Sequence, residues 1–228
     1  MSGMNVLLGE KEKKRAEYFY LTFQNIKKEV LPLLEDLIPK FKMAKNPEEF
    51  KKDIVSEEIL IEDGFDTEKS RWSTWQRDYS FAEFEYDKEF GHLNKGSLKI
   101  ENLEESKGTP VCYLKTFYKD EKLKMEDEAY YFSAWYYSEG LNKDAKINVV
   151  VQWKDKENKY VEIFSSKPGK VNQKEWNKIE IIFKSPSKEK STNSLAILLL
   201  VEGAFSGKVW FDDVKFSKIK LKEKIDPE

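Results

Sequence analysis

Between Glu10 and Met43 the apolar residues Phe19, Phe23, Ile26, Val30, Leu33, Leu37 and Phe41 recur at spacings of three and four, with Leu34 and Ile38 widening the stripe. That spacing is one face of an α-helix. Pro32 would cost about 3 kcal/mol inside an uninterrupted helix, so a kink or fresh start is expected there, with Pro39 a second irregularity. Asn46-Pro47-Glu48-Glu49 supplies a cap, a proline at the first helical position and a glutamate three residues after the cap. It predicts a short helix from Pro47 to about Ile54. The stripe reads either as a docking or dimerising surface, through which the chain would meet a second copy or a neighbouring domain, or as helix packed on its own β-domain.

From about Ser56 the period switches to two. Strands are predicted at 59–62, 79–86, 97–101, 111–118, 129–137, 146–153, 160–164, 178–183, 195–201 and 208–216. Turn clusters separate them, among them Asn94-Lys95-Gly96, Ser138-Glu139-Gly140 and Lys167-Pro168-Gly169. No helix-length pattern intervenes, which excludes parallel βαβ units. Short strands in this number imply an antiparallel two-sheet sandwich, and a span of about 160 residues favours a jelly roll over an immunoglobulin fold. The expected chain is therefore mainly β: an N-terminal helical segment over 1–55, a jelly-roll β-sandwich over 56–220 and a polar tail over 221–228.

Within the last strand, Gly207-Lys208-Val209-Trp210-Phe211-Asp212-Asp213-Val214-Lys215-Phe216, a strict two-residue period cannot place Val209 and Phe211 on the same face as Val214 and Phe216. The parity changes at the Asp-Asp pair, and a β-bulge there would resolve the conflict. Two adjacent carboxylates repel unless a cation or hydrogen-bond donors lie between them, so the pair is either a hard-metal ligand or a solvated strand end.

Composition narrows the partners. The 228 residues hold 40 basic and 42 acidic side chains, a formal charge of -2, so no net positive field draws the chain to nucleic acid or an anionic membrane. The single cysteine, Cys112, excludes an internal disulfide. No apolar run approaches membrane-spanning length, and the N-terminus lacks the apolar core of a signal peptide. Met1-Ser2-Gly3-Met4 reads as an added remnant, so the absence of an export signal says little about location. Catalysis lacks a marker: there is no Gly-rich phosphate loop and no His/Cys ligand cluster, and the lone His92 would have to serve any Ser-His-Asp set. A jelly-roll glycoside hydrolase or polysaccharide lyase would need two carboxylates about 5 to 10 Å apart in a cleft, and no motif marks such a pair. The loop Phe90-Gly91-His92-Leu93 reads as surface, and Trp153, Trp176 and Trp210 as packing residues.

Five segments in order carry a resemblance: Glu62-Asp63-Gly64-Phe65-Asp66 followed by Trp72 and Trp75; Gly96-Ser97-Leu98-Lys99-Ile100; Tyr130-Tyr131-Phe132-Ser133-Ala134-Trp135; Trp176 with Ile179 and Ile181; and Gly207 through Val214. Over residues 57 to 218 the chain resembles the jelly-roll, galactose-binding-like carbohydrate-binding modules of families 4, 9 and 22. The resemblance implies a non-catalytic module for a neutral polysaccharide or oligosaccharide, outside the cell or at its surface. It also implies a structural Ca²⁺ held at Gly64, Asp66, Lys95, Asp212 and Asp213. The family usually has glutamate where Asp66 stands.

Sugar recognition needs flat aromatic faces and a few amide or carboxyl groups. If Tyr130, Phe132, Ala134 and Tyr136 face the core, then Tyr131, Ser133, Trp135 and Tyr137 face outward. With Asn148, Val150 and Gln152 as the outward set of the next strand, the expected sugar-binding residues are Trp135, Tyr137, Tyr131 and Gln152, with Trp75 on the loop after the first strand. The alternative is a protein-interaction or structural domain whose outer aromatic face is covered by its own helices or a partner.

Overall fold

The computed structural model describes residues 41–43, 47, 51–66, 72–76, 82–102, 110–118, 128–187, 191–203 and 206–222. The chain divides into two compact units, Met1–Phe41 and Lys42–Glu228. Twelve strands are described: β1 (Phe41–Met43), β2 (Ile54–Asp63), β3 (Ser73–Gln76), β4 (Ala82–Asp87), β5 (Ser97–Asn102), β6 (Val111–Tyr118), β7 (Ala129–Glu139), β8 (Lys146–Lys154), β9 (Tyr160–Ser165), β10 (Asn177–Lys184), β11 (Ser194–Glu202) and β12 (Gly207–Leu221). They form two antiparallel sheets. The first runs β1-β9-β8-β11-β6-β3; the second runs β10-β7-β12-β5-β4, with β2 also paired to β12.

One face of each central strand meets the opposite sheet, and β11 is buried on both faces. Tyr130, Phe132, Ala134 and Tyr136 of β7 are buried in the core with Ile147, Val149, Val151 and Trp153 of β8 and Leu195, Ile197, Leu199 and Val201 of β11. Phe183 and Phe216 stack nearly parallel at 6.3 Å, and Tyr130 stacks on Phe183 at 5.6 Å, joining β7, β10 and β12.

All ten expected strands are present. The two additional ones are short, and one corrects the helical stripe: Phe41–Met43 is a strand at the edge of the first sheet. Phe41-Lys42-Met43 alternates apolar, polar, apolar after Pro39, which suits a strand as well as the tail of a stripe. The rest of that stripe lies outside the described residues. Of the short helix expected from Pro47, Pro47 and Lys51 are described, both with helical backbone, and β2 begins at Ile54.

The Asp-Asp pair is a bulge. Asp212 pairs with Trp135 and Lys215 with Ser133, so Asp213 and Val214 oppose Ala134 alone, and Asp213 has φ +43°. The bulge sits where β12 changes partners. Its first part, through Phe211, pairs with β5, and from Val214 onward it pairs with β2.

Candidate functional site

Three places carry the residues singled out by the sequence. The first is the fork in β12, which brings the end of β2 and the start of β5 to the Asp-Asp pair. A Cβ on Gly64 would lie 3.3 Å from Asp213 Oδ1 and 3.6 Å from Asp66 Oδ2, so two carboxylate oxygens converge on a place left open by the glycine. Gly96, at φ +118°, has no room for a side chain, because a Cβ there would meet the Phe65 carbonyl oxygen at 2.2 Å. The same oxygen accepts the Tyr86 hydroxyl at 2.7 Å. Lys95, next to Gly96, turns its ammonium to Glu89.

Asp212 is 1% exposed, and its oxygens accept the His92 N–H at 2.6 Å and the Asp213 N–H at 2.7 Å. Burial pushes its carboxyl up to about 6, against the pull of those two donors. Asp213 Oδ2 lies 2.6 Å from His92 Nδ1. The donor set thus suits a hard cation in part: Asp66 and Asp213 Oδ1 point to one place, whereas Asp212 and Asp213 Oδ2 are engaged by protein donors. Among the described residues no three His, Cys, Asp or Glu side chains are grouped to hold a metal.

The second place is the outer face of the second sheet, where Tyr131, Trp135 and Tyr137 stand. His92 stacks on Trp135 at 3.9 Å and 18°. Phe90 packs edge-on to Tyr137 at 5.1 Å, stacks on Trp176 at 5.4 Å and touches Trp210 at 5.1 Å. The loop between β4 and β5 therefore packs on Trp135 and Tyr137, which stay half-buried, and it is pinned by its own polar contacts. Asp87 accepts the Trp210 indole N–H at 2.9 Å, and Ser97 donates to the Phe90 carbonyl at 2.6 Å.

His92 is part of this packing, which corrects its reading as a surface loop residue. The available signal was an aromatic and a histidine in a loop opposite a strand with three outward rings. Tyr131 is 7% exposed, beside Ile182 and Ile219, and donates to Glu180 Oε1 at 2.5 Å. Glu180 also pairs with Lys51 at 2.6 Å and Lys178 at 3.1 Å. Burial raises the Glu180 carboxyl, but hydrogen bonds from Lys51, Tyr131 and Lys178 outweigh it and leave its pKa below the ordinary value.

Gln152 does not join this face, a second correction. β7 pairs with β10 and β12, while β8 lies in the opposite sheet between β9 and β11. β7 and β8, consecutive in sequence, belong to different sheets, so their outward sets point away from each other.

The third place is the outer face of the first sheet, which does carry both Gln152 and Trp75. Register aligns its rows across the strands. Trp75 of β3 lies opposite Cys112, which opposes Leu200, which opposes Asn148. Thr116, Ala196, Gln152 and Ile163 form a second row, and Tyr118, Ser194, Lys154 and Tyr160 a third. Among the described residues the exposed aromatic side chains are Trp75, Tyr118 and Tyr160, at 44%, 67% and 45%. All three belong to this sheet. Between them runs an apolar strip of Cys112, Val150, Ala196, Leu198 and Leu200, none more than 9% exposed. At one end Asn148 donates to Glu202 at 2.9 Å.

No family model matches the sequence, and no curated protein matches it. Solved structures do match. The CBM22-1 xylan-binding domain of Paenibacillus barcinonensis Xyn10C is 14% identical with a TM-score of 0.52, over 73% of this chain and 98% of that one. The tandem CBM22-1-CBM22-2 domain of the same protein is 13% identical with a TM-score of 0.53, over 76% and 48%. The CBM22-1-GH10 modules of Clostridium thermocellum xylanase 10B, complexed with xylohexaose, are 14% identical with a TM-score of 0.50, over 70% and 28%. The fold is the jelly roll of these carbohydrate-binding modules.

Proposed function

We propose that this chain is a non-catalytic carbohydrate-binding module that takes a polysaccharide or oligosaccharide on the outer face of its first sheet. One observation carries the reading: Trp75, Tyr118 and Tyr160, the aromatic side chains left exposed among the described residues, all stand on one sheet. An exposed ring offers a flat apolar surface to the C–H face of a pyranose, and Thr116 and Gln152 lie beside two of the rings for its hydroxyls. The fold shared with xylan-binding modules supports the same reading and makes soluble xylan a natural first ligand to try. A polymer of this kind is met outside the cell, so the reading implies an extracellular or cell-surface location. Affinity electrophoresis against a panel of soluble polysaccharides tests it, since at least one must retard the chain.

A structural Ca²⁺ at the fork is part of this proposal, with Asp66 and Asp213 as its carboxylate ligands. When bound, the ion would neutralise the convergent oxygens and tie the end of β2 to β12. It would leave the sugar face untouched.

A second reading is favoured by the buried apolar strip on the same face. Cys112, Val150, Ala196, Leu198 and Leu200 point away from the core yet are 0 to 9% exposed, so the middle of this face is already covered, which favours a non-catalytic structural domain whose outer face is closed. Retardation by no polysaccharide, together with a large loss of stability in urea on Leu198→Glu, selects this reading.

A further inference from the structure

Tyr118, Ser194, Lys154 and Tyr160 form one row across four adjacent strands, β6, β11, β8 and β9. The outer two are exposed rings three strand spacings apart, about 14 Å. Ser194, 3% exposed, is closed off between them. Lys154 stands in the row with its ammonium over the face of the Tyr160 ring, 5.0 Å from its centre, so the ring left uncovered in the row is Tyr118. Lys154 forms no ion pair with any described residue, whereas Lys99, Lys208, Lys215 and Lys218 each meet a glutamate. The neighbouring row brings Thr116 and Gln152 onto the same face, one exposed and one half-buried.

We infer that this end of the face selects sugar chains bearing carboxylates, uronic acid residues within or branching from a polysaccharide, with Lys154 as the residue that meets the charge. The inference rests on the sugar-binding reading above and deepens it, and it departs from the neutral ligand that the sequence suggested. An open ring in one row with a cation is what a uronate needs: Tyr118 covers the apolar face of a pyranose while the Lys154 ammonium meets the carboxylate. Uncharged Thr116 and Gln152 serve the hydroxyls. The net charge of -2 means that any preference for an anionic chain arises from this local cation and not from the field of the whole protein.

The test uses matched polysaccharides that differ only in charge: glucuronoxylan against its carboxyl-reduced form, and polygalacturonate against its methyl ester. In affinity gels the acidic member of a pair should bind the full chain about tenfold more tightly, the range of one charge-assisted hydrogen bond. Raising the salt to about 0.5 M should shrink that ratio. Lys154→Gln should make the two members equal while keeping the affinity for the uncharged one, and Lys154→Arg should keep the preference. Equal affinity for both members, or a preference that survives Lys154→Gln, overturns the inference and leaves the sugar-binding reading intact. Retardation by none of the four polymers or by any neutral polysaccharide overturns both.

Discussion

The two outer faces of the sandwich both carry aromatic side chains, but they meet different surroundings. On the second sheet Trp135 and Tyr137 lie under Phe90, His92 and Trp176, and Tyr131 is closed in by Ile182, Ile219 and the Glu180 network. On the first sheet Trp75, Tyr118 and Tyr160 stand in solvent. Alternation along a strand decides which side chains leave the core, and the loops decide what those side chains then touch. An outward ring is a ligand platform only where no loop has claimed it. The β4–β5 loop claimed the rings of β7, and the fork at Asp212 and Asp213 holds that loop down through His92.

This contrast makes opposite demands on stability and binding. The largest expected effect is at the second sheet: Trp135→Ala should destabilise the fold by about 3 kcal/mol, the low end for truncating a tryptophan, because the half-buried ring stacks on His92. Sugar affinity should not change. A change in unfolding free energy of less than about 0.5 kcal/mol in urea would mean that the loop contact is not holding.

Next in size is the cation at the fork. If calcium is present at a hundredfold excess over its Kd, chelation should cost about 2.7 kcal/mol and lower the unfolding temperature. Asp66→Ala should remove that dependence. An identical melting curve in chelator, with no calcium in the purified protein by elemental analysis, contradicts the site.

A smaller effect distinguishes Tyr131 from the open rings. Glu180 holds its proton less tightly when folded than when unfolded, so its contribution is present at neutral pH and is lost as the pH falls through its lowered folded value, below 4.5. Glu180→Gln should cost about 1 to 2 kcal/mol at pH 7 and flatten the acid limb of the stability profile. An unchanged acid limb would show that the network of Lys51, Tyr131 and Lys178 contributes nothing.

Most of the sandwich was legible because its strands have one buried face. The parity break at Asp212-Asp213 even located the bulge. β3 escaped notice because Ser73-Thr74-Trp75-Gln76 is exposed at every position, so there is no alternation to read. β1 was absorbed into the helical stripe, since Phe41 fits both periods.

The site was less legible for a different reason. Tyr131, Trp135 and Tyr137 were rightly placed outward on β7, but which strand lies beside β7 is a long-range fact. Its neighbours are β10 and β12, more than forty residues away on average in the chain sense that local patterns cannot see. Gln152 was therefore assigned to the wrong sheet. Gly64, Asp66 and Asp213 did come together, because the two ends of a jelly roll lie side by side and β12 pairs with β2.

The central claim is that sugar binds at the exposed rings of the first sheet and not on the half-buried rings of the second, and it reduces to a pair of tryptophans. In affinity gels of the polysaccharide that retards the chain most, Trp75→Ala should lose about 1 to 3 kcal/mol of affinity with its urea midpoint unchanged. Trp135→Ala, under conditions where it remains folded, should bind like the unmutated chain. The reverse result, with affinity lost on removing Trp135 and kept on removing Trp75, would place the ligand on the second sheet and contradict the account.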